Sequence, residues 1–487
     1  MLLLTLLLCC ATGLVPWKAA PRSPAPRGGG RRAAAAGAVP APPAARGRGS
    51  VLESALLVCG ATVGSGFLAV PRATCRAGIG PATAGLAAVW VYHLLGALAL
   101  AEAAARCRHA AAPGDGAAPA GGGGVSIFSI SVEATRGWPR PVRRGVSLLM
   151  SACFSVVVLC TLTSQVAKTT DLLVGAVAGA APAAAAVARL RLGTAAAAAA
   201  AAYGVAFCVN DRFAERVTSA CGALMLASFA ALLGACFSHA GGLAPAAVLQ
   251  RGSWAPLLPR GGEPWAVGIF VQLLVFGEAV CLVVRRLETR RDISAAIALG
   301  SAMPLAMAIA LTAAAVNLNV PGVDPLAALL ARGRGYEAAA VGVFCVTAVA
   351  STAVGTLLSA AQFFDDAVAG GGAGGGAGTS GAAEAGARRR RRAVRVATVA
   401  LPAVVASSGN DVAYRALAFA GGFPVTVLWG VLPPLFLWAL RRRPAAGDPS
   451  RCLPDPGRFL PGGTAGLAAV QLLALALLGA DAATHFA

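Results

Sequence analysis

From residue 51 onward the chain repeats one pattern, an apolar run followed by a short polar or basic stretch. Eleven such runs fall at 54–74, 81–105, 145–167, 193–210, 216–237, 265–284, 294–316, 337–362, 393–409, 412–439 and 463–483. Each is close to the roughly 20 residues that carry a helix across a bilayer. The pattern predicts an all-α polytopic membrane protein with about 11 transmembrane helices. Segment 172–189 is also apolar, but Ala-rich and interrupted by Pro182; it reads as a loop helix or as a twelfth span. The poly-Ala stretch 195–202 makes the fourth run the least apolar in character. Gly-rich tracts at 121–124 and 370–376 read as flexible linkers, because neither continues into the GK[ST] of a phosphate cradle.

Two runs carry interruptions. The first contains GATVGSGFLAVP at 60–71, with Gly60, Gly64 and Gly66 where a span would favour Leu or Val. Glycine weakens a helix and bares its backbone. Unwound backbone at membrane depth persists only against protein or a cavity, and in transporters such breaks build the substrate site. The alternative is close helix packing through Gly60 and Gly64. The sixth run, WAVGIFVQLLVFGEAVCLVVRR, holds Phe276, Gly277 and Glu278 at its middle. An acid at that depth costs a few kcal/mol and marks an ion or proton pathway, unless Glu278 lies nearer the inner face and pairs with Arg285 or Arg286. If the chain is a five-plus-five inverted repeat, the two breaks face each other, and their free N–H groups suit a carboxylate.

Composition agrees with the membrane reading. Of 487 residues, 57% are hydrophobic and 12% charged, about half the charged share of a soluble protein. Mean hydropathy is +0.72. The net charge of +20 does not point to nucleic acid, because the arginines cluster between apolar runs without interleaved aromatics. With the N-terminus inside, inner loops hold 23 Lys and Arg and outer loops 10, as the positive-inside rule requires. Thirteen cysteines are scattered, mostly within apolar runs, and form no CxxC. The four histidines show no ligand spacing either. No cofactor or metal is expected, and no hydrolase, metalloprotease or kinase signature is present.

Residues 1–50 form a separate segment. LLLTLLLCCATGLV at 2–15 resembles a signal-peptide core, and the Arg-containing stretch behind it holds no acid before Glu53. Signal followed by transit peptide is a two-part plastid address; the alternative is an ordinary secretory signal with a disordered leader. The permease-like transmembrane domain is placed at 51–487.

Five stretches together resemble the tryptophan/tyrosine permease family, within the hydroxy- and aromatic-amino-acid permeases. They are GATVGSGFLAVPRATCRAGIGP at 60–81, YHLLGALALAEAAAR at 92–106, LVVRRLETRRDISAAIALGSAMPLAMAIAL at 282–311, TAVGTLLSAAQFFDD at 352–366 and LAFAGGFPVTVLWGVLPPLFLWAL at 417–440. The resemblance implies a leucine-transporter-like fold with broken first and sixth helices, and proton-driven symport of an aromatic amino acid. It implies that Gly60, Thr62, Gly64, Ser65 and Gly66 hold the substrate's amino and carboxylate groups. Phe276, Gly277 and Thr352 join them as substrate-binding candidates, and Glu278 and Glu102 are the proton-coupling candidates. Glu102 reads alternatively as an interface acid near Arg106. Expected partners are an amino acid, a proton and the lipid bilayer. Bacterial members carry His in the sixth-helix break where this chain has Gly277, and an acid late in the eighth helix is here Gln362 or shifted to Asp365. Polar groups inside spans, among them Ser155, Thr161, Ser351 and Ser359, either line the site or bond their own helices. The rival readings are an amino acid sensor that has lost transport and, further off, an intramembrane enzyme.

Overall fold

The computed structural model describes residues 50–110, 126–177, 184–204, 221–234, 252–258, 265–318, 336–371, 381–408, 412–442 and 457–486. The presequence expected at 1–50 lies outside them but for Ser50, as do both Gly-rich tracts but for Gly370 and Gly371. Among the described residues the fold is helical, with a single isolated bridge between Gly78 and Gly252.

The first run folds as two helices, α1 (Val51–Thr62) and α2 (Ser65–Thr74). A capping box starts α1: the Ser50 hydroxyl accepts the Leu52 amide at 3.2 Å, and the Ser50 amide donates to Glu53 at 3.3 Å. Next come α3 (Ile79–Ala110), the short α4 (Ile127–Ala134), α5 (Arg140–Val177), α6 (Ala184–Tyr203) and α7 (Cys221–Gly234). Helix α5 runs past the expected end at 167, and α6 starts before 193. The segment read as a loop helix is therefore shared between these two helices, apart from residues 178–183, which are not described.

The sixth run is α8 (Ala266–Leu273) and α9 (Gly277–Arg286). Helices α10 (Arg290–Leu318), α11 (Tyr336–Gly371) and α12 (Gly381–Ala406) follow. The tenth run is α13 (Val412–Ala420), a π-helix over Gly421–Val431, and α14 (Leu432–Arg441); α15 (Gly463–Phe486) closes the chain. Seven of the described spans are long and apolar enough to cross a membrane, and the bent pair α1–α2 is an eighth. The shorter apolar helices Leu190–Ala201 and Cys221–Gly234 fall where two further spans were expected.

Helices α1, α3 and α10 pack together on one side of the breaks, and α5, α11 and α12 on another. The π-helix carbonyls, displaced from ordinary helical bonding, find side-chain partners. The Tyr92 hydroxyl donates to the Thr426 carbonyl (3.3 Å), and Gln471 donates to that of Val431 (2.7 Å).

Loops that the charge count assigns to one side also meet one another. The Ser253 amide donates to Ala77 (2.9 Å), joining two outer loops. At the opposite end, Arg108 donates to the carbonyls of Val284 and Leu287, capping α9.

Candidate functional site: two interrupted helices around a cavity

Glycine and proline at 60–71 break the first span where the pattern expects it. Only Val63 and Gly64 separate α1 from α2, and the axis turns by 64°. The last carbonyls of α1 and the first amides of α2 lose their helical partners there. Thr352 on α11 answers one of them: its Oγ1 lies 2.7 Å from the Val63 carbonyl and 2.9 Å from its own Ala348 carbonyl. A Cβ added at Gly64 would strike the Thr352 side chain, so the absent side chain lets α11 close on the break. Other buried hydroxyls in these helices, such as those of Thr62 and Ser351, bond carbonyls of their own helix, the bland outcome foreseen for most of them.

The second break spans Leu274–Phe276, where Phe276 leaves helical geometry (φ −139°, ψ 12°). Helix α9 restarts with the Ala279 amide donating to Phe276 at 3.0 Å. The amides of Gly277 and Glu278 occupy its first turn, which an α-helix leaves without internal acceptors. A Cβ at Gly277 would run into the Trp429 indole. The ring from the π-helix thus fills the space that a side chain at 277 would need. A void of about 10 Å³ lies beside it, lined by His93, Gly277 and Trp429. His93 Nε2 is 2.9 Å from the Val271 carbonyl; a carbonyl cannot donate, so that nitrogen carries the proton and Nδ1 is left as acceptor.

The two breaks meet at a cavity of about 40 Å³. Thr62, Gly64 and Gly66 line it from the first break, Phe276 and Glu278 from the second, and Thr352 from α11. Glu278 is half-buried on its wall. Its carboxyl has the Ser359 hydroxyl of α11 as hydrogen-bond partner, and it forms no ion pair with Arg285 or Arg286.

Six of the ten candidate residues therefore converge. Gly60 does not line the cavity, and a Cβ there would meet nothing within 4 Å, so it is not a close packing contact either. Gly277 borders the neighbouring void. Ser65 begins α2, and its side chain is outside the described set. Glu102 is not brought to the cavity: it is fully buried in an ion-pair cluster with Arg441 (2.6 Å) and Arg106 (3.3 Å), and it accepts the Phe459 amide at 3.0 Å. Of the acids and amides late in α11, Gln362 and Asp365 have side chains outside the described set.

Sequence reasoning did not single out Gln272, Gln165 or Thr356, which also line the cavity. The available signal was a lone amide inside an apolar span, QLLVFGE, one turn before the break.

An all-α polytopic bundle whose two interrupted helices meet at an internal cavity defines the architecture of a secondary transporter. The chain belongs to the tryptophan/tyrosine permease family, whose model matches residues 48–454. Among solved structures, the chain is similar to Mhp1, a nucleobase-cation-symport-1 family transporter in a closed conformation with bromovinylhydantoin bound. That match has 14% identity and a TM-score of 0.51 over 90% of this chain and 94% of that one. A manganese transporter of Eremococcus coleocola, in complex with an aromatic bis-isothiourea substituted compound, matches with 11% identity and a TM-score of 0.49, over 89% and 86%. At 14% identity the likeness to Mhp1 is one of fold alone. No curated protein sequence matches the chain.

Proposed function

We propose that this permease carries an aromatic or related neutral amino acid together with a proton. The observation that carries the reading is a cavity shared by both breaks, with the carboxyl of Glu278 on its wall. Amides of the half-helix ends suit the substrate carboxylate, because they carry the positive end of the helix dipole. Carbonyls at the end of α1, beside Ala61 and Thr62, suit the ammonium. Glu278 takes the proton on one side of the membrane and gives it up on the other. At about 40 Å³ the cavity is far below the 300 Å³ or more of small-molecule sites, so substrate entry requires the half-helices to part.

Uptake of labelled tyrosine, tryptophan and neutral amino acids into proteoliposomes tests this. Accumulation accelerated by an inward proton gradient is expected. Glu278→Gln should keep exchange and lose gradient-driven accumulation, by about tenfold or more given what one proton-transfer group contributes. Unchanged accumulation in that variant removes Glu278 from the mechanism. Binding without flux favours the sensor reading, and release of a new product favours an enzyme.

The address we propose is a plastid membrane, on the signal-like and acid-free stretches of residues 1–50. A fluorescent fusion of residues 1–50 should enter plastids; export to the cell surface refutes the address.

A further inference from the structure

We infer that Gln272 reads the far end of the substrate: its side-chain carbonyl accepts a hydrogen bond from an O–H or N–H on the ring of an aromatic amino acid. The inference rests on the permease reading above and narrows it to rings that carry a donor.

Gln272 lies on α8, is 6% exposed, and lines the cavity. Its Nε2 donates to Thr161 Oγ1 on α5 at 3.0 Å. That bond fixes the amide, with Thr161 as the positioning residue. Gln272 Oε1 is buried and has no partner. Four other buried polar atoms among the described residues share this condition, on Ser54, Thr83, Thr163 and Trp429, and none of those residues lines the cavity. A buried carbonyl without a donor has given up its water and gained nothing in return. The orphan belongs to a residue on the wall of the cavity that both breaks share, where an incoming molecule can supply the missing donor.

Position along the helix decides which donor. Gln272 lies in the last turn of α8, ahead of the unwound Leu274–Phe276, so it belongs to the helix wall and not to the break. A zwitterion held by the break amides and carbonyls keeps its ammonium at the break. What extends beyond the break is the side chain. Val157, Leu273 and Leu417, which also line the cavity, are apolar and suit a ring. A phenol O–H or an indole N–H completes the Gln272 carbonyl, whereas a phenyl ring leaves it orphaned. Sites built to bond a substrate hydroxyl reject the analogue that lacks it far more strongly than apolar pockets reject a missing methylene.

The test uses the full chain in proteoliposomes. Tyrosine, tryptophan, phenylalanine and tryptophan methylated on its indole nitrogen are compared for binding and for competition with tyrosine uptake. Wild type should favour tyrosine and tryptophan over the other two by about tenfold or more. Gln272→Met keeps the length of the side chain and removes the acceptor; the ratio of tyrosine or tryptophan to phenylalanine should collapse toward unity. Thr161→Val, which frees the amide from its anchor, should narrow the same ratio. A wild type that takes all four alike overturns the assignment while leaving the permease reading intact. So does a Gln272→Met protein with unaltered ratios, or one that loses all four equally while melting like wild type. If none of the four is bound or carried, the permease reading falls and the assignment falls with it.

Discussion

At the scale of single residues, the site depends on contacts in which one side chain is absent so that another can be present. Gly64 and Thr352 are such a pair. The Thr352 hydroxyl reaches the Val63 carbonyl only because nothing projects from Gly64. Gly64→Ala places a methyl against Thr352 Oγ1, Cβ and Cγ2 together, and backbone on both sides limits how far either can retreat. Overpacking of this kind costs about 1–3 kcal/mol, and here it also shifts the break itself. Gly64→Ala should lower the melting temperature in detergent and reduce uptake about tenfold, as a misplacement of about an ångström does elsewhere. Thr352→Gly removes every atom in the way, so the double variant should melt higher than Gly64→Ala alone, a non-additivity expected only of touching residues. Wild-type uptake in Gly64→Ala would show that the approach of α11 to the break is not what the site requires.

At the scale of elements, legibility in the sequence followed the chemistry of interruption. Gly and Pro within 60–71 announced the first break, and the structure puts it at Val63–Gly64. The second was announced by Gly277 with an acid beside it in an apolar run, and the restart of α9 falls on that glycine. The inverted-repeat reading supplied the pairing of the two runs, and the geometry brings both to one cavity. Three features were not legible. The π-helix over Gly421–Val431 lies in a run apolar throughout, where a widened turn changes no polar position and leaves no periodic trace. The end of α5 was hidden by Lys168 and Asp171, which read as the edge of a span, and the start of α6 by alanine, which suits a span and a loop helix equally. Gln272 was hidden because a single amide in an apolar helix looks like any satisfied polar group until its partners are known. Its donor to Thr161 spans 111 positions in sequence, and the emptiness of its carbonyl is a property of the assembled bundle.

At the scale of the whole molecule, Glu102 shows how the end of the chain is tied to its beginning. Its carboxylate takes Arg441 Nε and Nη2 at 2.7 and 2.6 Å, Arg106 from one turn on at 3.3 Å, and the Phe459 amide at 3.0 Å. Helix α3, the end of α14 and the segment entering α15 are thereby joined at one charge. These are loops that the positive-inside count places on the inner face, so the cluster fastens that face away from the cavity. Glu102 was a coupling candidate through the family resemblance, and its partners supply a structural reason for an acid there. Removing one member of a buried pair costs about 3–5 kcal/mol, since the other charge stays behind, whereas replacing both with apolar residues is close to neutral. Glu102→Leu should therefore melt well below wild type, and Glu102→Leu with Arg441→Leu should recover most of the loss. Glu102→Gln keeps the shape and several acceptor bonds; molecules that remain folded should still accumulate substrate against a gradient, unlike Glu278→Gln. A Glu102→Gln protein that melts like wild type yet loses gradient-driven accumulation would move the proton pathway from the cavity to this cluster. The two glutamates differ in what surrounds them: Glu278 lies on the wall of a cavity shared by the two breaks, while Glu102 is ion-paired to the guanidinium groups of Arg441 and Arg106.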